Sequence, residues 1–376
     1  MNVLVVSGIW PPDVGGPASH APDVARFLHG RGHRVEVVVT ASAEPAGEPF
    51  PVLWATRSRP VGIRHLDSLV LVWRRARLAD VVYSTGMFGR SGIACALARR
   101  PLVVKLTGDP AFERLRARGT IAGDVDSFQE TRGGLTARGL KQLRDRVLRR
   151  AAHVFTPSGY LRELVITWGV APERVSVMPN PAPFGGPSAP RDELRRRFGC
   201  DGPTLAFAGR LTAQKSLEVM LAAVAAVPDV ALLVAGDGEE HDPLLAGIAS
   251  RGLGDRVRPL GPLPRGEVLD LFAAADASIL SSSWENFPHS VVESLAVGTP
   301  VLATRAGGVA EVVEDGVNGL LVPVGDAVAL AAAVARFFAD EELRTRLRAS
   351  AAESVTAYRP DRLLAVLEET LEQAAR

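Results

Sequence analysis

The sequence predicts an α/β protein built from two doubly wound parallel-sheet domains, and three observations carry that prediction. Short runs rich in Val, Leu and Ile alternate with longer amphipathic stretches, the pattern of buried parallel strands joined by helical crossovers. A segment crowded with Pro and Gly, "PNPAPFGGPSAP" over residues 179–190, cannot continue either element and reads as an interdomain linker. The chain has 376 residues, 47% of them hydrophobic and 23% charged, enough to bury a large core and to fill two or three domains.

Taken in order, the strands expected before the linker are "VLVVS", "RVEVVVT", "PVLWAT", "DVVYST", "PLVVKLT", "HVFTPS" and "RVSVMP". Amphipathic helices are expected between them, among others over residues 19–29 and 135–152. After the linker come "TLAFAG", "VALLVAGDG", "RVRPLG", "DASILS", "TPVLATR" and "GLLVPVG", and beyond Asp326 the pattern stays helical. Two such domains are expected to turn the carboxyl ends of their sheets toward a common cleft, the usual ligand site of this architecture.

Composition narrows the function classes. Lys and Arg total 43 against 42 Asp and Glu, so no bulk positive charge argues for nucleic-acid binding. The balance is uneven: residues 1–180 hold 25 basic and 15 acidic side chains, residues 181–376 hold 18 and 27. Cys95 and Cys200, one in each half, support neither a disulfide framework nor a zinc site. The start "MNVLVVSGIWPP" lacks a cationic signal region and reads as a first strand. The most apolar stretch, "VMLAAVAAVPDVALLVAG", is broken by Pro228 and Asp229 before it could span a bilayer. A cytoplasmic protein, with at most peripheral membrane contact, is expected.

Several motifs carry possible chemistry. Gly15 and Gly16 follow the first strand and lead into a helix, where glycine lets backbone approach a ligand and free amides favour an anion; a strained turn accounts for them equally well. "LAFAGRLTAQKSLEVM" places Arg210 and Lys215 between a strand and a helix, a pair of cations suited to a diphosphate. "GRLTAQKS" fails the phosphate-loop pattern, having no glycine before Lys215. Lysine is scarce, with three residues at 105, 141 and 215, which singles out Lys215. In "SSSWENFPHSVVESLAVG", Glu285 stands in a loop after a strand and Glu293 on the following helix, where a carboxylate can accept both hydroxyls of a ribose. His20 and His289 flank these motifs without an assigned catalytic role, though His289 is placed to touch a donor.

The segment 206–322 resembles the donor-binding domain of the family-4 glycosyltransferases, through "GRL…K", the turn at Gly236–Asp237–Gly238, the two glutamates with seven residues between them and "GGVAEVVEDGVNGLLVP". The first half is similar through "PPDVGG" and "AHVFTPSGYLRELVITWGVAPERVSVMPNP". The resemblance implies a GT-B fold with an acceptor-binding domain over 1–180, a nucleotide-sugar domain over 181–357, and a closing helix over 358–376 that packs back on the first domain. It further implies that Arg210 and Lys215 bind the donor diphosphate and Glu293 the ribose, while Glu285, Asn286 and Phe287 address the donor sugar. Gly15 and Gly16 would approach the diphosphate, and the turn at Pro262 and Leu263 would meet the base through its backbone.

Many relatives carry a His motif after the strand corresponding to "PLVVKLT"; here stand Thr107, Gly108 and Asp109. Asp109 then has two readings: a catalytic carboxylate at the sheet mouth, or the N-cap of a helix beginning at Pro110. Asp124-Val125-Asp126 mimics a metal-binding Asp-x-Asp but reads as a solvated turn. Residues 132–150 hold seven cations, one acid and Leu140, Leu143, Val147 and Leu148 at helical spacing. They read either as a helix drawn to anionic lipid or as one packed on its own domain, and with Arg114, Arg116 and Arg118 they also suit an anionic acceptor.

The expected function is transfer of a sugar from a nucleoside-diphosphate sugar to a hydroxyl with retention of configuration, Glu285, Asp109, Arg210 and Lys215 carrying the chemistry. No metal or cofactor is expected, since Arg210 and Lys215 can neutralise the leaving group. A dinucleotide-dependent oxidoreductase would need a G-x-G-x-x-G turn that neither glycine cluster completes. The alternative is a catalytically silent sugar-nucleotide or glycan-binding protein on the same fold.

Overall fold

The computed structural model describes every residue except 12, 14, 15, 46, 122–124, 132 and 182–185, and no side chain is described for 16–19. The chain divides into two compact units, Met1–Pro179 with Asp361–Arg376, and Asn180–Pro360.

The first unit holds seven parallel strands, β1 Asn2–Ser7, β2 Arg34–Ala41, β3 Val52–Thr56, β4 Val81–Ser84, β5 Leu102–Lys105, β6 His153–Thr156 and β7 Val175–Val177, in the order β3-β2-β1-β4-β5-β6-β7. Seven helices connect or follow them: α1 Gly16–Gly30, α2 Val61–Ala76, α3 Phe88–Ala98, α4 Pro110–Arg116, α5 Val125–Glu130, α6 Leu135–Arg150 and α7 Gly159–Thr167. Alternation along each strand divides the core. Leu4, Val6, Val82 and Val104 face α2, α3, α6 and α7 through Val72, Ala94, Val147 and Leu161. Val3, Val5, Val37 and Val103 face α1 through Val24 and Leu28.

Leu364, Leu367 and Leu371, from the terminal helix Pro360–Ala375, complete that second face. Glu368 of this helix lies 2.8 Å from His33 Nε2 and accepts from Arg31 Nε, which ties it to the β2 edge. The order of the sheet reverses between β1 and β4, and there the backbones nearly touch, since a Cβ on Gly86 would stand 2.6 Å from the Gly8 nitrogen.

The second unit has six parallel strands, β8 Thr204–Ala208, β9 Ala231–Ala235, β10 Val257–Gly261, β11 Ala277–Leu280, β12 Val301–Thr304 and β13 Gly319–Val322, in the order β10-β9-β8-β11-β12-β13. Its helices are α8 Arg191–Phe198, α9 Leu217–Ala225, α10 His241–Ser250, α11 Arg265–Ala274, α12 His289–Ala296, α13 Ala327–Ala339 and α14 Glu341–Ser354, which makes the terminal helix α15. Here the order reverses between β8 and β11, so the residues following those two strands line the crevice of the sheet. Within the stretch expected to be a linker, Ser188 donates its amide and its hydroxyl to the buried Asp270, both at 2.6 Å, so residues near 188 belong structurally to this unit. Cys95 and Cys200 are buried free thiols, and burial pushes the Cys95 thiol up to about 12. Among the described residues, no helix is long and apolar enough to cross a membrane.

Candidate functional site

The sequence-predicted residues of the second unit converge on its carboxyl edge. The turn after β8 carries Arg210, exposed and with no hydrogen-bond partner among the described residues, and then a 3-10 turn ending at Lys215. Lys215 Nζ meets Glu285 Oε1 at 2.5 Å across the β8/β11 switch point, with both side chains largely shielded from solvent. Ser282 Oγ donates to the same carboxylate oxygen at 2.6 Å. The surrounding backbone fixes this pair. Ser281 Oγ donates to the Lys215 carbonyl, Gln214 Nε2 to the Trp284 carbonyl and the Ser283 amide to the Gln214 carbonyl, at 2.7, 2.6 and 2.8 Å.

Close glycine approaches hold the edge together. Gly308 donates its amide to the Glu285 carbonyl at 2.8 Å, and a Cβ on Gly307, whose φ is +50°, would stand 2.1 Å from that oxygen. At the β9 end, a Cβ on Gly236 or Gly238 would stand 1.9 Å from the Gly209 carbonyl or 2.2 Å from that of Leu211. Any other residue there would push the Arg210 turn out of place. Gly236 donates to the Gly261 carbonyl at 2.8 Å, which adds the β10 end to the same edge.

Glu293 sits in the second turn of α12, where burial pushes its carboxyl above the ordinary range and Arg265 pulls it back. Arg265 Nε donates to its Oε1 at 3.1 Å. Its Oε2 accepts no hydrogen bond among the described residues. Arg265 opens α11 directly after Pro262, Leu263 and Pro264, so the ion pair brings that turn alongside Glu293. The diphosphate, ribose and base positions of the resemblance are therefore contiguous in this unit. Asn286 and Phe287 are buried, and Phe287 packs edge-on against His289 and Tyr358. His289 Nε2 lies 2.9 Å from Asn180 Nδ2.

The first unit decides between the readings that the sequence left open. Asp109 follows β5, but its side chain is fully buried and does not line an open rim. Oδ1 accepts the amides of Ala111 and Phe112 at 2.8 and 3.4 Å, the N-cap reading, and Oδ2 meets Gln129 Nε2 at 3.0 Å and an Arg144 guanidinium nitrogen at 2.5 Å. All its acceptor positions are occupied by protein groups. Arg144 belongs to the basic stretch 132–150, yet its side chain is only 4% exposed, stacked 3.7 Å from the Trp168 ring centroid. The apolar side of α6 faces its own domain as well, with Val147 and Leu148 in the core. Asp126 is exposed, as expected, but stands in the first turn of helix α5 and accepts the Tyr160 hydroxyl at 2.6 Å. Gly16 opens α1, whereas Gly15, Asp124 and Arg132 lie outside the described residues.

Sequence reasoning missed Arg265 and Arg144, and a signal existed for the second. Arg144 stands at helical spacing among Leu140, Val147 and Leu148, so it lies on the apolar stripe and not opposite it. All three lysines have fixed partners. Lys105 is buried and donates to the Met178 carbonyl, burial lowering its ammonium to about 7; Lys141 donates to the carbonyls of Phe128 and Thr131; Lys215 holds Glu285.

Comparison with known proteins gives the same division. Residues 15–181 match the family described as glycosyl transferase 4-like domain, and residues 191–354 match glycosyl transferases group 1. The chain is 38% identical over 156 residues to a lipopolysaccharide core biosynthesis glycosyltransferase of Rhizobium meliloti, covering 42% of this chain and 45% of that one. It is 35% identical over 236 residues to a D-inositol 3-phosphate glycosyltransferase of Thermobispora bispora, covering 57% and 55%. The chain thus spans about half the length of these curated relatives. A crystal structure of Anabaena HepE in complex with UDP and glucose superposes with a TM-score of 0.80 at 23% identity, covering 99% of this chain and 100% of that one, and shares the two-domain GT-B fold.

Proposed function

The chain belongs to the family-4 glycosyltransferases, and from that membership and the geometry of the second unit we propose that it moves a sugar from a nucleoside-diphosphate sugar to a hydroxyl acceptor with retention of configuration. The observation that carries this reading is the Lys215–Glu285 pair at the β8/β11 switch point, with Arg210, which has no partner among the described residues, in the turn after β8. Arg210 offers a free guanidinium fork to a diphosphate, and Lys215 adds a point charge already positioned by its carboxylate partner. As the bond to the sugar breaks, negative charge grows on the leaving diphosphate, and cations fixed in advance stabilise it without reorganisation. That charge supply is the reason to propose transfer without a metal ion. Glu285 is offered to the donor-sugar hydroxyls, Glu293 Oε2 to the ribose and the backbone near Leu263 to the base. UDP is the nucleotide of first choice for testing, because the HepE structure holds it. A cytoplasmic location is part of the same proposal.

Calorimetry with UDP on Arg210→Ala and Lys215→Ala tests the reading, followed by a panel of nucleotide sugars assayed for hydrolysis and transfer. Each substitution should weaken binding by about 1.5–3 kcal/mol, the worth of a charged hydrogen bond. Unchanged affinity in both variants would remove the donor site. Binding without turnover on any donor would favour a silent sugar-nucleotide binder.

A further inference from the structure

The first unit contains a cavity of about 480 Å³ between α3, α4 and α6 that the donor-site geometry does not use. One wall is apolar, made by Phe88, Leu140, Leu143 and Val147, and is kept open to α6 by glycine on α3: a Cβ on Gly89 would stand 3.3 Å from Leu143. The other wall carries Arg90, Arg114 and Arg118. Among the described residues none of these three guanidinium groups is paired with a carboxylate. Arg90 donates only to Ser68 Oγ, at 2.6 Å. Burial, with repulsion from Arg114 and Arg64, lowers the Arg90 guanidinium to about 10, and burial followed by Arg90, Arg64 and Arg114 likewise lowers His65, which is not part of the lining. Concentrated like charge at a concave surface is destabilising unless something neutralises it. Arg144, the fourth arginine of the lining, is already committed to Asp109 and Asp145.

One carboxyl lines the cavity, that of Glu113 on α4, which is exposed at its rim; partial desolvation, then the nearby Asp109, raise it to about 7. Its charged neighbour is Asp109 at the start of its own helix, while Arg144 from α6 and Arg90 from α3 line the same cavity, and in its neutral form it is a hydrogen-bond donor to an anion.

We propose that this cavity seats an amphiphilic phosphate monoester, its head group on Arg90 and Arg114 and its alkyl part along Leu140, Leu143 and Val147. A dianionic head offsets the repulsion between the guanidinium groups and matches their fork geometry, which a single carboxylate does less well. An apolar tail explains why a charged rim and a hydrophobic wall share one cavity, whose volume is that of a small-molecule site. The binding claim stands on the cavity alone; its identification as the seat of the acceptor rests on the transferase reading.

Titration calorimetry of the full chain with decyl phosphate, kept below its micelle concentration, tests the inference, with inorganic phosphate and decanol as probes of head and tail alone. Decyl phosphate should bind at least about tenfold tighter than either fragment, and Arg114→Gln should weaken it about tenfold or more, the loss of one charged hydrogen bond. Ala117→Trp, which fills the cavity and leaves every charge in place, should abolish decyl phosphate binding. Both variants should bind UDP like the wild type, so loss of UDP affinity reports on the donor reading and not on this cavity. Vesicles of phosphatidylcholine with and without phosphatidic acid identify the source. Capture that depends on phosphatidic acid and Arg114 assigns the head group to a lipid, while binding of the monomer alone assigns it to a free phosphorylated acceptor. Decyl phosphate binding that is absent, or equal in wild type, Arg114→Gln and Ala117→Trp, overturns the proposal.

Discussion

Asp109→Asn is the substitution on which sequence and structure part most clearly. Read as an exposed catalytic carboxylate, the variant should melt normally and lose turnover. The structure predicts the reverse order of effects. Asparagine keeps a carbonyl for the amides of Ala111 and Phe112, so the helix cap survives. In place of Oδ2, however, it turns an NH₂ group toward the Gln129 amide at 3.0 Å and the Arg144 guanidinium at 2.5 Å, donor against donors. Arg144 then loses its fully buried counter-ion.

Removing one partner of a buried pair costs about 3–5 kcal/mol. Asp145, 22% exposed and 2.8 Å from Arg144 Nε, recovers part of that, which leaves about 2–4 kcal/mol. For a unit of this size each kcal/mol moves the melting temperature by about 2–4 °C, so a fall of about 4–16 °C is expected. Thermal and urea unfolding of the full chain measure it, and Arg144→Met completes a cycle whose coupling should exceed about 1 kcal/mol. An Asn variant that melts within about 1 °C of the wild type while turnover drops roughly tenfold would refute the structural account and return Asp109 to the chemistry.

Three further variants test other parts of the structure. Glu293→Gln should weaken UDP by about 1–2 kcal/mol with little change in melting, because Arg265, its partner, is more than half exposed. Arg265→Ala removes the group that pulls the Glu293 carboxyl back down, so on acidification its UDP affinity should begin to fall at a higher pH than that of the wild type; identical pH profiles by calorimetry would separate Glu293 from the ribose. Glu113, raised to about 7, binds a proton in the folded state that the unfolded chain has lost, so its contribution to stability falls as pH rises from about 4.3 to about 7. Urea midpoints at about pH 5 and pH 8 should converge in Glu113→Gln relative to the wild type, and an unaltered difference would show the carboxyl to be ordinary.

The strands were legible because parallel strands buried on both faces leave no polar interval. "VLVVS", "DVVYST" and "PLVVKLT" show an unbroken apolar run whichever face is considered, and they fold as β1, β4 and β5. The cations of the second unit were legible because they fall between a strand and a helix, where a parallel sheet opens. What stayed hidden was pairing over distance: Arg265 and Glu293 stand 28 residues apart, Asp109 and Arg144 stand 35, and neither separation follows a helical or strand interval. Gly307 was hidden for a similar reason, since what it must avoid, the Glu285 carbonyl, comes from a different strand end. Counting charge over 132–150 was the wrong operation, because it treats every cation as facing water. The position of a charge within the helical interval says more than the number of charges. A lone arginine between leucines spaced at three and four residues implies an acid buried beside it, and in this chain that acid is Asp109 after β5, so the loss of its exposed role and the burial of Arg144 are one inference.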